Sequence, residues 1–594
     1  MLTPSTAKHF INDPTKLVLT ALRSITLTNP AVALDAENKV IYLRPSSNSE
    51  HQVSIISGGG SGHEPSFAAF VGPGLLSGAV AGTIFASPSA EQIRRCILEK
   101  VDAQKGVLVV VMNYTGDVLN FGMAVEKAKA SGLNVEMVVV GDDAGVGRKQ
   151  GGKVGRRGIA GTVLVQKISG ALAATGASLK EVHGVAQLTA SNVVSIGASL
   201  SHVHVPGRSI TEADDEELNQ DEVEIGMGIH NEPGSEKMKD DLPGMVKKML
   251  AYMLDPEDKD RAFLQINKSH ETVLLVNNLG GVSPLELGGI TCEVVEQLEK
   301  DWGVKPARVL SGTFMTSLNG LGFSISILKI MDTGLGSGKS MLELLDAPAE
   351  ASGWAAAVPT KTWQNKSTAT REKARGDNGA AKASNLTMDP TLVKSALTTA
   401  LNRLIAAEPA ITNYDTIVGD GDCGIGLARG AQAVLTLLDH ASKPPADAAV
   451  FLDKVVGVVE NSMDGTSGAL YAIFLNALAR GLRSQSSEQP TPATAAVWAG
   501  ALDMALSSLG QYTPAKPGDR TLVDALYPFV GDLAQTGSVR SAAEAADAGA
   551  RGTKGMKASL GRTVYVGGEG WQGVPDPGAH GLAEFLMGLS EGLD

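Results

Sequence analysis

The sequence predicts two consecutive α/β domains followed by an all-helical domain. Three observations carry this expectation. Up to about residue 345, apolar β-branched runs alternate with helix-patterned stretches separated by glycine-rich loops. From 351 to 388 the apolar period collapses into Ala, Thr, Lys, Asn and Gly, with Pro359, as a linker would. Beyond 389 a helical period recurs and hardly any strand pattern is left.

The elements follow in order. Val53–Ser57 reads as a strand running into the loop Gly58-Gly-Gly-Ser-Gly-His-Glu-Pro65. Val107–Met112 is a second strand, leading through Asn113-Tyr-Thr-Gly-Asp117 to a helix that carries Phe121, Ala124, Val125 and Ala128 on one face. Val135–Val140 is a third, ending in Gly141-Asp-Asp. Such runs imply parallel sheets, with ligands at the carboxyl ends of the strands. A second α/β block begins near 195 and contains Ile225-Gly-Met-Gly-Ile-His230, Thr272–Gly281 and Phe323–Leu328. The expected domains are therefore 1–195 and 196–350, then a linker over 351–388 and a helical domain over 389–594. In the last of these, Asp389-Pro390 is a helix start. Leu392, Val393, Ala396, Leu397, Ala400, Leu401, Leu404 and Ile405 continue the pattern, and further helices are expected around 447–463, 469–484, 494–509 and 540–550.

Composition narrows the function. The chain has 594 residues, long enough for several cores, with 43% hydrophobic and 19% charged residues. A formal charge of −13 without any dense Lys/Arg run argues against nucleic-acid or anionic-membrane partners. No run approaches the roughly 18 apolar residues needed to span a bilayer. No signal peptide is legible, and the three cysteines, Cys96, Cys292 and Cys423, are scattered. A cytoplasmic protein is expected. The 69 glycines exceed ordinary usage of about 7% and cluster in loops where backbone can approach a small polar ligand.

Thr333-Gly-Leu-Gly-Ser-Gly-Lys-Ser340 imitates a phosphate-binding P-loop, but Thr333 stands where the consensus needs glycine. It is read as a plain strand–helix turn. The stronger signal is Asp415-Thr-Ile-Val-Gly-Asp420-Gly-Asp422-Cys-Gly424. Three carboxylates in eight residues repel one another unless a cation lies between them, and oxygen-only ligands suit Mg²⁺ or Ca²⁺. Downstream, Met463-Asp-Gly-Thr-Ser-Gly468 offers Thr466 and Ser467 at a helix start, and Gly518–Asp524 and Gly561–Thr563 offer Arg520 and Arg562. Together these pieces suggest Mg–ATP held by loops at one end of a helical domain. In the first half, His63, Asp117 and His230 are candidates for acid–base or nucleophilic chemistry.

These motifs resemble, in order and over nearly the whole chain, the single-chain ATP-dependent dihydroxyacetone (glycerone) kinases. They are Gly-Gly-Gly-Ser-Gly-His-Glu-Pro, Asn-Tyr-Thr-Gly-Asp-Val-Leu-Asn-Phe-Gly, Gly-Met-Gly-Ile-His-Asn-Glu-Pro-Gly, Asn-Asn-Leu-Gly-Gly, Gly-Asp-Gly-Asp-Cys-Gly, Asp-Gly-Thr-Ser-Gly-Ala-Leu-Tyr, Gly-Asp-Arg-Thr and Asp-Pro-Gly-Ala. The resemblance implies a two-part α/β substrate-binding module, a linker and a nucleotide-binding barrel of antiparallel helices.

It further implies that His230 attacks the ketone of dihydroxyacetone to form a covalent hemiaminal, a test for C=O that glycerol fails. Gly60, Ser61, Gly62, His63, Asp117 and the position of Met112 would hold the substrate, and Asp117 or His63 would take the hydroxyl proton. Asp415, Asp420 and Asp422 would hold two Mg²⁺ ions. Asp422, Cys423, Gly424, Thr466, Ser467, Arg520, Thr521, Leu522, Arg562, Asp576, Pro577 and Gly578 would contact ATP. D-Glyceraldehyde is a second expected substrate, and a homodimer is expected, the helical domain of one subunit meeting the substrate module of the other. Many family members carry Lys where this chain has Met112, which bears on substrate range. Two alternatives have family precedent: release of cyclic FMN from FAD at the same nucleotide site, and a ketotriose-binding regulator without kinase activity. A hemiaminal needs a neutral imidazole, so dihydroxyacetone binding is expected to weaken as pH falls through the histidine range.

Overall fold

The computed structural model describes residues 8–45, 52–208, 218–219, 221–355, 358–365, 382–440, 444–463, 465–560 and 570–594. The chain divides into two compact units, Met1–Ala369 and Thr370–Asp594.

The first unit contains two six-stranded sheets. The first is built from β1 (Val32–Asp35), β2 (Val40–Leu43), β3 (Ser54–Ser61), β4 (Gly78–Ile84), β5 (Val107–Met112) and β6 (Val135–Val140) in the order β1-β2-β4-β3-β5-β6. Strands β4, β3, β5 and β6 run parallel, as expected, and β1 and β2 form an antiparallel edge. The second has the order β11-β10-β12-β7-β8-β9. Its strands are β7 (Val193–Ser199), β8 (Val223–Ile225), β9 (Glu236–Met238), β10 (Thr272–Asn278), β11 (Arg308–Gly312) and β12 (Gly322–Lys329). Here the expectation of a parallel sheet fails: only β10 and β11 are parallel, and the other pairs are antiparallel. The reason is physical. β7 and β10 are buried at every residue, and a strand covered on both faces is apolar throughout whichever way its neighbour runs.

The two sheets share a core. Helix Thr162–Ala174 is buried along almost its whole length and packs with Leu108 and Val110 of the first sheet and Val273 and Leu275 of the second. The outer face of the second sheet is covered by helices Leu242–Leu254 and Pro284–Trp302. Strand β7 already starts at Val193, just before the expected boundary at 195. In the segment expected to be a linker, Ala351 and Trp354 are anchored. Trp354 is buried edge-on against Phe70 and Phe314, so its chain belongs to the first core. In the imitation P-loop, Ser340 caps a helix of six residues, and its N–H and hydroxyl both donate to Glu343. The Ser340 hydroxyl and N–H are therefore committed to the helix cap.

The second unit holds eight α-helices among its described residues: Pro390–Val418, Cys423–His440, Ala448–Ser462, Gly465–Ser484, Ala495–Leu509, Val523–Thr536, Val539–Gly552 and Pro577–Leu593. Each packs on the next, and the last packs on the first, closing a ring. Side-chain caps start several of them. Asp389 accepts from the N–H groups of Thr391 and Leu392, Asp447 from those of Ala449 and Val450, and Asp576 from that of Ala579. In an up-and-down ring, alternate connections lie at the same end. The described residues of the connections at 419–422, 463–464, 510–522 and 553–576 therefore share one end, and these connections carry the sequence motifs.

Candidate active site

In the first unit the site forms at the carboxyl ends of β3, β5 and β8. After β3, the loop is tied to the chain ahead of β12. Thr316 Oγ1 donates to the carbonyls of Gly62 (3.2 Å) and Glu64 (2.9 Å), Leu318 N–H donates to Gly62 O (2.7 Å), and Ser66 Oγ donates to Phe314 O (2.8 Å). The opposite side is held by the buried amide of Asn277. Its oxygen accepts from the N–H groups of Phe314 and Met315 (2.9 Å each), and its nitrogen donates to Met315 O (2.7 Å). Gly62 has φ +106°, and a Cβ there would lie 2.8 Å from the Phe85 ring.

This clamp places His63, fully buried, with Nδ1 2.8 Å from the carbonyl oxygen of Thr316 and Nε2 3.1 Å from Nε2 of His230. Phe85 stacks on His63 and meets His230 edge-on, while the Tyr114 ring covers His230 with centroids 4.7 Å apart. Burial, with the His230 charge beside it, pushes the His63 imidazole down to about 3, so that ring stays neutral.

His230 follows β8 on a tight turn. Gly228 N–H donates to Glu232 O (2.9 Å), and Asn231, at φ +64°, pins its side chain on the backbone of Val203 through bonds of 3.0 and 2.7 Å. Glu232 turns back on His230: Oε1 lies 3.0 Å from ring Nδ1, and Oε2 accepts the backbone N–H (2.9 Å). Gly228 makes room for this carboxylate, since a Cβ there would lie 2.0 Å from Glu232 Oε2. Burial opposes the charge on Glu232, but the hydrogen bonds from His230 outweigh it and hold the carboxyl at about 2.

Asp117, in the first turn of helix Thr115–Ala130, is 4% exposed. Its Oδ1 has no hydrogen-bond partner, and burial raises its carboxyl above the usual range against the pull of Ser87 and the His230 charge. Its carboxylate stands over the position where a Cβ on Gly59 would be. The structure thus brings His63, His230 and Asp117 to one place. Gly60 and Ser61 lie beneath them at the end of β3, with Ser61 Oγ committed to Gly82 O (3.0 Å). Met112 does not join them. It closes β5 inside the apolar core against Gly158.

In the second unit, Asp415 is in the last turn of helix Pro390–Val418, and its Oδ2 accepts Cys423 N–H (3.0 Å). Asp415, Asp420 and Asp422 each bring an oxygen within 4.8 Å of the others. An all-oxygen set at that spacing fits a hard divalent ion. Cys423 Sγ lies 3.8 Å from Ser467 Oγ at the start of helix Gly465–Ser484, with Thr466 exposed beside it and Gly424 buried behind. Arg520, 2% exposed, donates through Nη2 to the carbonyls of Trp571 (2.9 Å) and Val574 (2.8 Å), while Nε and Nη1 have no partner. Buried donors without an acceptor suit a phosphate or other anion. Thr521 N–H donates to Asp524 (2.8 Å), and Leu522 packs on Gly578 in the turn Asp576-Pro577-Gly578. Burial pushes the Asp576 carboxyl up to about 7, against the Ala579 N–H and the Arg520 charge. Arg562 lies outside the described residues.

Three contributors went unread in the sequence. Glu232 stands in the quoted motif Gly-Met-Gly-Ile-His-Asn-Glu-Pro-Gly without a role, although a carboxylate two residues after a candidate histidine is a signal. Thr316 and Phe85 come from segments with no motif, and only tertiary structure brings them to His63.

The fold defines the class: a two-sheet module with a histidine pair of which His63 is buried, followed by a helical ring with an acidic cation cradle. Residues 23–353 match the Dak1 domain and residues 417–591 the DAK2 domain. The chain is 43% identical to a dihydroxyacetone kinase of Pichia angusta, covering 98% of each chain. It is 42% identical to dihydroxyacetone kinase 1 of Saccharomyces cerevisiae (99% of this chain, 100% of the relative) and 36% identical to the triokinase/FMN cyclase of Homo sapiens, with the same coverage. Crystal structures of the C. freundii dihydroxyacetone kinase, native and in complex with AMP-PNP and Mg²⁺, match at TM-score 0.63 and 30% identity over 98% of this chain and 99% of theirs. The chain belongs to the dihydroxyacetone kinase family.

Proposed function

We propose that this protein transfers the γ-phosphoryl group of ATP to dihydroxyacetone, and also to D-glyceraldehyde. The observation that carries the reading is the grouping of His63, His230 and Asp117, in which one imidazole is aimed and buttressed and its charge is felt by a buried carboxylate with an oxygen that has no partner. His230 Nε2 is the nucleophile that captures the ketone carbon, and Gly60, Ser61 and Gly62 supply the backbone against which the triose lies. Asp117, with its raised affinity for a proton, accepts the proton of the terminal hydroxyl as that oxygen attacks phosphorus.

ATP would be held in the second unit by Asp422, Cys423, Gly424, Thr466, Ser467, Arg520, Thr521, Leu522, Arg562 and Asp576–Gly578. Asp415, Asp420 and Asp422 would hold two Mg²⁺ ions, whose chemistry when bound is to neutralise phosphate charge. A homodimer in the cytoplasm is the form we expect to act. Among the described residues no helix is long and apolar enough to cross a membrane. The test is ADP release with dihydroxyacetone, glyceraldehyde and glycerol as acceptors. Turnover with the carbonyl substrates and not with glycerol is expected, and equal rates with all three would overturn the reading.

A further inference from the structure

The hydrogen bonds through the histidine pair have an unusual proton count, whose consequence for catalysis rests on the covalent role of His230 under the proposed function. At one end His63 Nδ1 faces a backbone carbonyl, and at the other His230 Nδ1 faces the Glu232 carboxylate. Both outer groups only accept, so each Nδ1 must carry a proton. If both rings are neutral, the two Nε2 atoms, 3.1 Å apart, then present lone pairs to each other. A single proton between them turns this clash into an N–H⁺···N hydrogen bond.

The charged and titratable groups around the pair favour that proton. They are the Glu232 carboxylate on the turn after β8 and Asp117 from the helix after β5. Arg157 is neutralised by its ion pair with Asp143 (2.7 Å), and the Tyr114 phenol is held un-ionised by burial. Phe85 closes the remaining side with an uncharged ring.

We propose that Glu232 and the Thr316 carbonyl fix the tautomers of His230 and His63 so that the resting site holds one proton between their Nε2 atoms, and that covalent capture of the ketone consumes this proton. In the step itself the proton moves to His63 Nε2, freeing the His230 Nε2 lone pair. That pair forms the C–N bond, and the π electrons of C=O pass to oxygen. The oxygen takes the proton from His63 Nε2. The positive charge stays on the alkylated His230 ring, whose Nδ1–H still faces Glu232. No proton is released or taken up. Glu232 is a positioning residue: it sets the tautomer and holds the cation, and it touches no reacting atom.

The sign of the pH dependence is therefore the reverse of that for a lone imidazole nucleophile. Affinity for dihydroxyacetone stays level while the pair is protonated and falls tenfold per pH unit above the pair's own pKa. The experiment is a ¹³C NMR titration of the full-length protein, free of nucleotide, with dihydroxyacetone labelled at C2, from mildly acidic to alkaline pH. The adduct is read as a tetrahedral C2 signal. A level affinity that declines in alkali supports the proposal. Affinity that instead declines on acidification through the histidine range and holds in alkali overturns it while the hemiaminal stands. No tetrahedral signal at any pH means that the covalent reading itself has failed.

Glu232→Gln removes the negative charge, so the break is expected at least one pH unit lower, and the neutral-pH KM for dihydroxyacetone at least tenfold higher with kcat little changed. An unmoved break in a folded Glu232→Gln protein removes Glu232 from the role. If that variant does not fold, the wild-type profile alone still decides the proton count.

Discussion

The two units build their sites in opposite ways. In the first, the backbone ties are made in advance: Asn277, Thr316 and Asn231 anchor three separate segments by hydrogen bonds, and the Phe85 and Tyr114 rings pack on His63 and His230. In the second, the chemistry hangs on helix-connecting loops, with Asp420 and Asp422 exposed and two buried donors of Arg520 unmatched. The difference teaches where selectivity and where charge handling belong. Telling a ketone from a polyol needs a rigid, dry site, because a misplaced ångström forfeits it. Holding Mg–ATP needs repelling carboxylates and idle donors that become satisfied only when the ligand arrives.

The largest effect comes from separating the units. A chain truncated after Ala369, the end of the first unit, should bind dihydroxyacetone and release no ADP. ADP release by that fragment, measured in a coupled assay, would make the loop at 333–340 a nucleotide site after all. Next, Asp422→Asn should cut kcat at least a hundredfold, about 3 kcal/mol of transition-state stabilisation. The metal-free melting temperature should hold or rise, since one member of a repelling trio is gone. Near-normal turnover at saturating Mg²⁺ would show the cluster to be a solvated turn. His230→Ala should lose most of the preference for ketone over polyol, by about ten- to a hundredfold, with less change in turnover of a saturating acceptor. An unchanged ratio alongside a lower melting temperature would leave His230 a turn residue only.

The units should also respond to pH in opposite directions. His63 protonates near 6.5 when unfolded but only near 3 when folded, so the first unit loses stability as pH falls from 6.5, on the order of 5 kcal/mol in full. Asp576 titrates near 3.8 unfolded and about 7 folded, so the ligand-free second unit loses stability as pH rises between those values. Melting of the two units followed across this range should show crossing trends, and parallel trends would break the contrast. The smallest effect belongs to the imitation P-loop. Ser340→Ala should leave ADP release unchanged and cost about 1 kcal/mol of helix capping, read as a slight drop in melting temperature.

Much of the architecture was legible because it is local. Asp389-Pro390 announces a capped helix, and three acids in eight residues announce a cation, without knowledge of anything distant. Strand direction was not legible: the apolar runs of β7, β10 and β12 report burial on both faces and are silent on polarity. Helices Cys423–His440, Val523–Thr536 and Pro577–Leu593 were not picked out individually because glycine-rich motifs overlap their starts. Trp354 hid in an alanine- and glycine-rich stretch whose composition resembles a tether. The pairing of His63 with His230 joins residues 167 apart, and no periodicity encodes it.

The closed ring of helices has a bearing on how the second unit could be rewired. Its last helix returns to its first, with Gly592 lying against Ala396, so the two ends of the ring meet at the face opposite the chemistry-bearing loops. The connections at 485–494 and 537–538 lie on that same far face. Joining the old ends and opening the chain at 485–494 would give a circular permutant in which all four working loops keep both of their flanking helices. The order in which the helices are threaded is then a matter of convenience, and the loop cluster is indifferent to where its chain begins.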